Sequence, residues 1–331
     1  MFKFNKIIFM IMLIMSSLIS ISSYSWFSMW LGLEINLLTI IPLFMGKSNK
    51  YPSESMMKYF FIQALASTMI LYSILMSFNL NSSLISKLSM MLNSALLMKM
   101  GAAPFHFWFP EIIEGLTWNN ALIVLTWQKL APMIMLSYSM MNSTFICFSI
   151  ILSSIISGIQ GLNQISVRKI MAYSSINHNS WMISNLLIST DMWVFYFVIY
   201  SLISINLIYT FKLFKINMIQ QLMNILNYNK LIKISMLLNF LSLGGLPPFI
   251  GFLPKWLTIY FMVENNLFFL TIILIMCTLI ALYFYLRLIL STMSFKIKEN
   301  LIISLKKMNM IFLLMNSINL MSLIMASFIS I

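Results

Sequence analysis

Apolar runs of about helix-spanning length recur along the whole chain, separated by short polar connections. A helix crosses the ~30 Å hydrocarbon core with about 20 apolar residues. By that measure the pattern predicts eleven transmembrane helices, over 7–22, 25–45, 58–78, 88–108, 119–140, 144–163, 169–188, 192–211, 234–256, 267–291 and 309–330. The runs are too long and continuous for the alternating strands of a membrane barrel, so the expected fold class is an all-α polytopic membrane protein. The first run, "MFKFNKIIFMIMLIMSS", has the basic start and apolar body of a secretory signal. No small-x-small cleavage site follows it and ten more runs do, so it is read as a retained span.

Two stretches break the helical pattern with Gly and Pro. "GAAPFHFWFP" runs from Gly101 to Pro110 and "GLPPFIGFLP" from Gly245 to Pro254, 144 residues further on. Both read G-x-x-P-F-x-x-x-x-P, with Gly101, Pro104 and Pro110 matched by Gly245, Pro248 and Pro254. Proline inside a helix removes a backbone bond and clashes with the preceding turn, so each stretch marks an interrupted helix. They fall in the fourth and ninth runs, an odd number apart, and so enter the membrane from opposite sides. An inverted repeat with broken helices points to an ion or substrate path near the midplane. The alternative is two unrelated Pro-rich helix ends. The expected organisation is one transmembrane domain over 1–331, with a first five-helix repeat over 7–140, a second over 144–291 and a final helix over 309–330.

Composition excludes the soluble classes. Of 331 residues, 61% are hydrophobic and 8% charged, whereas soluble domains carry about 25% charged residues. The net charge of +13 could suggest nucleic acid, but that needs a basic, solvated face, and no soluble segment is long enough to supply one. Only Cys147 and Cys277 occur, each inside an apolar run, and the two histidines are far apart; neither a disulfide framework nor a zinc site is expected. There is no Walker loop and no G-x-G-x-x-G, so no nucleotide, flavin or iron–sulfur site is expected. The 32 Met and 27 Phe, with abundant Ile, Asn, Lys and Ser, follow AT-rich codons and a code in which ATA also reads as Met, a combination found in mitochondrial genomes.

Threading the runs alternately across a bilayer sorts the basic residues. One side receives sixteen of them, from Lys3 and Lys6 through Lys58, Arg168, Lys215 and Arg287 to Lys307; the other receives Lys87 alone. That asymmetry satisfies the positive-inside rule, placing the N-terminus inside and the C-terminus outside. Lys99, Lys129 and Lys255 fall within runs, as does Glu34 in "SMWLGLEINLLTIIP". Each such charge costs about 2.5–3.5 kcal/mol at the centre of a lone helix. Four together approach the net stability of a whole domain, about 5–15 kcal/mol. Snorkelling relieves a lysine near an interface, which suits Lys255 better than Glu34 or Lys129. The cheaper arrangement faces the bundle interior, pairs opposite charges and admits water. Burial disfavours a charged ammonium and a nearby carboxylate favours it, so lysines held between those influences and joined by water would form a proton relay; a structural ion pair is the competing reading. His106, in the first break, and His178, within "YSSINHNSW", are supporting candidates, because imidazole titrates at about pH 6.5; a helix-to-helix hydrogen bond would explain either equally well. Glu111 and Glu114 read as solvated loop acids.

"GAAPFHFWFPEIIEGLTWNNALIVLTWQKLAP", "GLNQISVRKIMAYSSINH" and "LSLGGLPPFIGFLPKW" resemble the chain 2 family of mitochondrial NADH:ubiquinone oxidoreductase, the respiratory complex I. The resemblance runs from "WLGLEINLL" to the last broken helix and weakens in the 212–233 loop and after about residue 290. It implies an antiporter-like subunit with two inverted five-helix repeats. Glu34 and Lys99 match the family's glutamate–lysine pair, Lys129 its central lysine, and Lys255 the lysine of its second broken helix. It further implies proton movement from matrix to intermembrane space, driven by electron transfer from NADH to ubiquinone. NADH, flavin, iron–sulfur clusters and quinone are then handled by other subunits, with no cofactor or metal in this chain. Implied partners are chains 4 and 4L, the lateral helix of chain 5 and membrane lipids including cardiolipin. Asn179 and Ser180 stand where the family pattern suggests Leu-Gly, making the seventh run more polar. Two other readings stay open: a structural subunit relaying charge without passing protons, and a free-standing antiporter.

Overall fold

The computed structural model describes residues 2–45, 50–78, 82–140, 143–226 and 230–294. Among them every regular element is helical. Among the described residues, seven helical stretches are long and apolar enough to cross a membrane, one of them, Trp118–Tyr138, with a discontinuity inside it. The remaining predicted spans are interrupted, shorter or less apolar, and the predicted final helix over 309–330 lies outside the described residues.

The chain divides into two compact units, Met1–Ser153 and Ser154–Ile331. In the first, α1 (Phe2–Ser22) packs on α2 (Trp26–Phe44), α2 on α3 (Lys50–Ser77), and α3 on α4 (Ser82–Met100) and α5 (Trp108–Gly115). α6 (Trp118–Leu125) and α7 (Trp127–Tyr138) follow, α7 lying against α1 and α4. Residues facing out of α3, such as Phe61, Leu65, Tyr72 and Leu75, are large, apolar and exposed, as a lipid-facing stripe requires. Inside, helix contacts are polar as well as apolar. Ser139 donates to the Asn93 Oδ1 at 2.6 Å while the Asn93 amide donates to the Ser139 carbonyl at 3.1 Å. Trp127 Nε1 donates to Ser17 Oγ at 3.1 Å. Lipid offers helices no hydrophobic driving force toward one another, so such bonds and close packing hold the bundle.

α8 (Ser143–Leu162) carries the boundary between the units. The second unit contains α9 (Val167–Leu186), α10 (Thr190–Phe214), the short α11 (Ile219–Leu226), α12 (Lys230–Gly244), α13 (Phe252–Glu264) and α14 (Phe268–Ser294). α9 is enclosed by α10, α13 and α14, with Val167 and every residue from Ile170 to Leu186 buried. α11 lies in what the sequence reads as a plain loop; its eight residues are too few to span.

Connections predicted on one side of the bilayer meet one another. Lys58 forms an ion pair with Glu111, and both side chains are exposed, so Glu111 is a solvated acid that also finds a partner. Arg168 donates to the Asn217 Oδ1 at 2.9 Å, and Arg287 donates to the carbonyls of Leu162 and Gln164. Each pair joins loops or helix ends that alternate threading assigns to the same side.

Candidate functional site

Both Gly/Pro stretches are helix breaks with the same backbone device. α4 ends at Gly101, whose φ of 70° is open to glycine. Its amide donates to the Met98 carbonyl at 3.2 Å and the Ala102 amide to Leu97 at 3.0 Å, the bonding of a Schellman cap. Gly245 ends α12 with φ 76°, and the Leu246 amide returns to Leu241 at 3.3 Å. Pro110 and Pro254 each lie in the first turn of the helix that resumes, where a missing N–H costs little. Pro104 and Pro248 sit between the half-helices, Pro104 after a cis peptide bond.

Each break has a lysine beside it. Lys99 stands in the last turn of α4, where the macrodipole favours a cation; Gln63 on α3 donates to its carbonyl at 3.2 Å. Lys255 lies on the far half-helix of its break and reaches back across it. Its Nζ donates to the carbonyl of Gly244 at 2.9 Å and of Leu243 at 3.3 Å, at the end of α12. A Cβ on Gly245 would stand 2.7 Å from Lys255 Cδ, so this glycine serves both the turn and the lysine. The snorkelling alternative weighed for Lys255 gives way to a capping position: the side chain is buried and bonded inward.

Lys129 is the most enclosed of the three lysines, 1% exposed against 7% for Lys99 and Lys255. The run that carries it is not one continuous helix. At Thr126 (φ −116°, ψ −73°) α6 stops and α7 begins, and the Lys129 amide bonds to the Thr126 carbonyl, three residues back, at 3.2 Å. Pro132, one turn on, cannot donate to the Gln128 carbonyl and loosens the same stretch. The ammonium lies 5.7 Å from the centroid of the Phe109 ring, within cation–π reach. Phe109 also closes on Gly101, where a Cβ would come within 2.8 Å of its ring.

Glu34, half-buried on α2, acts electrostatically on Lys99 without a direct ion pair among the described residues. Two residues along, Asn36 accepts a hydrogen bond from the Gln128 amide at 2.9 Å, and Tyr59 donates to Gln128 Oε1 at 3.4 Å. These groups, with Gln63 and Lys99, border a cavity of about 10 Å³ for a water's centre. Glu34, Lys99 and Lys129 thus belong to one unit, organised around the first break.

The histidines fall one in each unit. His106 is buried within the first break, its Nδ1 3.3 Å from the Pro104 carbonyl and its ring against Phe107. His178, in the second unit with Lys255, meets Tyr196 Oη through Nδ1 at 2.9 Å, with Tyr200 beside its ring. One face of α9 carries further polar groups: Asn177 Oδ1, Trp181 Nε1 and both amide atoms of Asn185 are buried without hydrogen-bond partners among the described residues. Of the two residues that depart from the family pattern, Ser180 turns back onto its own helix, donating to the Asn177 carbonyl at 2.6 Å. The residues that sequence reasoning missed are Asn36, Tyr59, Gln63, Gln128 and Phe109. The signal available was the amides, which are polar groups inside apolar runs.

Comparison with known proteins agrees with this architecture. Residues 23–282 match the family model for the NADH:quinone oxidoreductase/Mrp antiporter transmembrane region. The chain is 46% identical to the NADH-ubiquinone oxidoreductase chain 2 of Anopheles gambiae, over 99% of this chain and 98% of that one. It is 43% identical to the Locusta migratoria chain of the same name, over 92% and 90%. Among solved structures, a chain of respiratory complex I from Thermus thermophilus superposes with a TM-score of 0.81 at 22% identity, over 87% of this chain and 70% of that one. A chain of the Mrp complex from Dietzia gives 0.76 at 12%, over 85% and 59%; these two establish the fold. With near-full-length identity above 40% and a broken-helix bundle of antiporter type, the chain belongs to the NADH-ubiquinone oxidoreductase chain 2 family.

Proposed function

We propose that this chain is a core membrane subunit of respiratory complex I that moves protons from the matrix to the intermembrane space, coupled to electron transfer from NADH to ubiquinone elsewhere in the complex. Glu34, Lys99, Lys129 and Lys255 carry the protons, with His106 and His178 in support. The chain itself performs no redox chemistry; NADH, flavin, iron–sulfur clusters and quinone belong to other subunits. It lies in the mitochondrial inner membrane with its N-terminus in the matrix, against chains 4 and 4L, the lateral helix of chain 5 and lipids including cardiolipin. The observation that carries this reading is the burial of three lysines in the cores of apolar units, two of them at the carbonyl ends of broken helices. Enclosing an ammonium costs several kcal/mol, and a bundle held only by packing has no need of three.

A second reading, charge relay without proton passage, is favoured by Lys255, whose ammonium is engaged by two backbone carbonyls. Lys129→Met decides between them because it keeps the length of the side chain and removes its charge. In the assembled complex the proposal expects fewer protons moved per NADH oxidised. An unchanged ratio with normal assembly favours the relay. Recovery of the chain alone, without other respiratory subunits, would instead indicate a free-standing antiporter.

A further inference from the structure

We infer that the cavity beside Lys99 is a binding site for one water, and that Gln128 is the positioning residue that ties this water to the turn carrying Lys129. The inference rests on the proton-moving reading above for its consequence, and on geometry for the site itself.

The cavity, of about 10 Å³, is at the lower bound for one water, which needs about 10–15 Å³ and two to four polar partners. Its walls supply them: the amides of Asn36, Gln63 and Gln128, the Tyr59 hydroxyl and Lys99. Lys99 is more than nine-tenths buried, and among the described residues its ammonium makes no hydrogen bond to a protein acceptor. An ammonium has three N–H donors, and leaving such donors unmet in a buried site costs about 1–3 kcal/mol or more. A water in this cavity meets one of them.

Gln128 is the hub of the lining. It joins α7 to α2 through Asn36 and to α3 through Tyr59. Its second amide hydrogen and the remaining lone pair of Oε1 stay available to orient a water. Its backbone lies between the Thr126 break and Lys129, and Asn36 is two residues from Glu34. A shift of α2 against α7 therefore moves the water's partners and the Lys129 turn together. The amides keep their own protons; their part is to hold and orient the water against Lys99.

The test uses the assembled complex. A map that resolves ordered waters should show one water within hydrogen-bond distance of both Lys99 Nζ and the Gln128 carboxamide. Gln128→Leu preserves approximate size and removes both amide groups. It should abolish that density and lower protons moved per NADH while NADH oxidation persists, a split that loss of packing alone would not produce. Lys129→Met is measured in parallel. If Lys129→Met leaves the ratio unchanged, the reading of function fails. If Lys129→Met lowers it while Gln128→Leu keeps the ratio, only the present inference is overturned. Should Gln128→Leu fail to assemble, the unaltered complex still decides: a cavity that is dry or filled by a neighbouring side chain overturns the site.

Discussion

Lys99 and Lys255 stand on opposite sides of their helix breaks. Lys99 belongs to the last turn of α4; Lys255 extends back from the next half-helix to the Leu243 and Gly244 carbonyls. A cation at the carbonyl end of a helix is favoured by the macrodipole and by bonds to unmet acceptors. Lys255→Met leaves both carbonyls without that donor, and hydrogen bonds to charged groups are worth about 1.5–3 kcal/mol each. It should lower the thermal stability of the assembled complex as well as proton movement; retention of full stability would show that the cap carries no weight. The exposed Lys58–Glu111 pair is a control of the opposite kind. Both partners are solvated, and exposed pairs contribute little, so Glu111→Gln should leave thermal stability unchanged, and a clear drop would contradict this assignment.

At the scale of elements, the two breaks were legible because glycine and proline act through the backbone, where spacing in sequence is spacing in space. Gly101 and Gly245 have φ of 70° and 76°, and their caps match bond for bond in the return to Leu97 and Leu241. Gly245→Ala puts a side chain into a left-handed turn and against Lys255. The φ penalty alone is about 1 kcal/mol, and displacement of the lysine adds to it. The expected result is a complex less stable than Lys255→Met alone would make it; an assembled complex of unchanged thermal stability would refute the tight fit. The discontinuity at Thr126 was not legible. Pro132 hints at a loosened turn, but nothing in "LTWQKLAP" says that the helix resets six residues earlier. The water site was hidden for a related reason. Asn36, Tyr59, Gln63 and Gln128 lie on three helices, and only the register between those helices brings them together.

At the scale of the whole molecule, the predicted spans that fall among the described residues correspond to helices, though the lengths differ where breaks intervene. The fourth and ninth runs cover the first half-helices and the breaks, and the second half-helices, α5 and α13, extend past their predicted ends, while the fifth run is α6 with α7. Charge alternation reads the threading because a lysine left in lipid is costly while one in a loop is free, and the contacts of Lys58, Arg168 and Arg287 join connections of the same side. The direction of threading yields its own prediction. In mitochondrial inner membranes, Lys87→Cys should react with an impermeant thiol reagent from the intermembrane side and Lys215→Cys from the matrix side; the opposite labelling would invert the topology. Beneath all of this lies one claim, that the buried lysines remain because water inside the bundle reaches them. A map of the complete complex, at a resolution that shows ordered waters, tests it most directly. Waters joined by hydrogen bonds beside Lys99, Lys129 and Lys255 are the predicted result. Dry packing around all three, or their side chains lying against acyl tails, would contradict it.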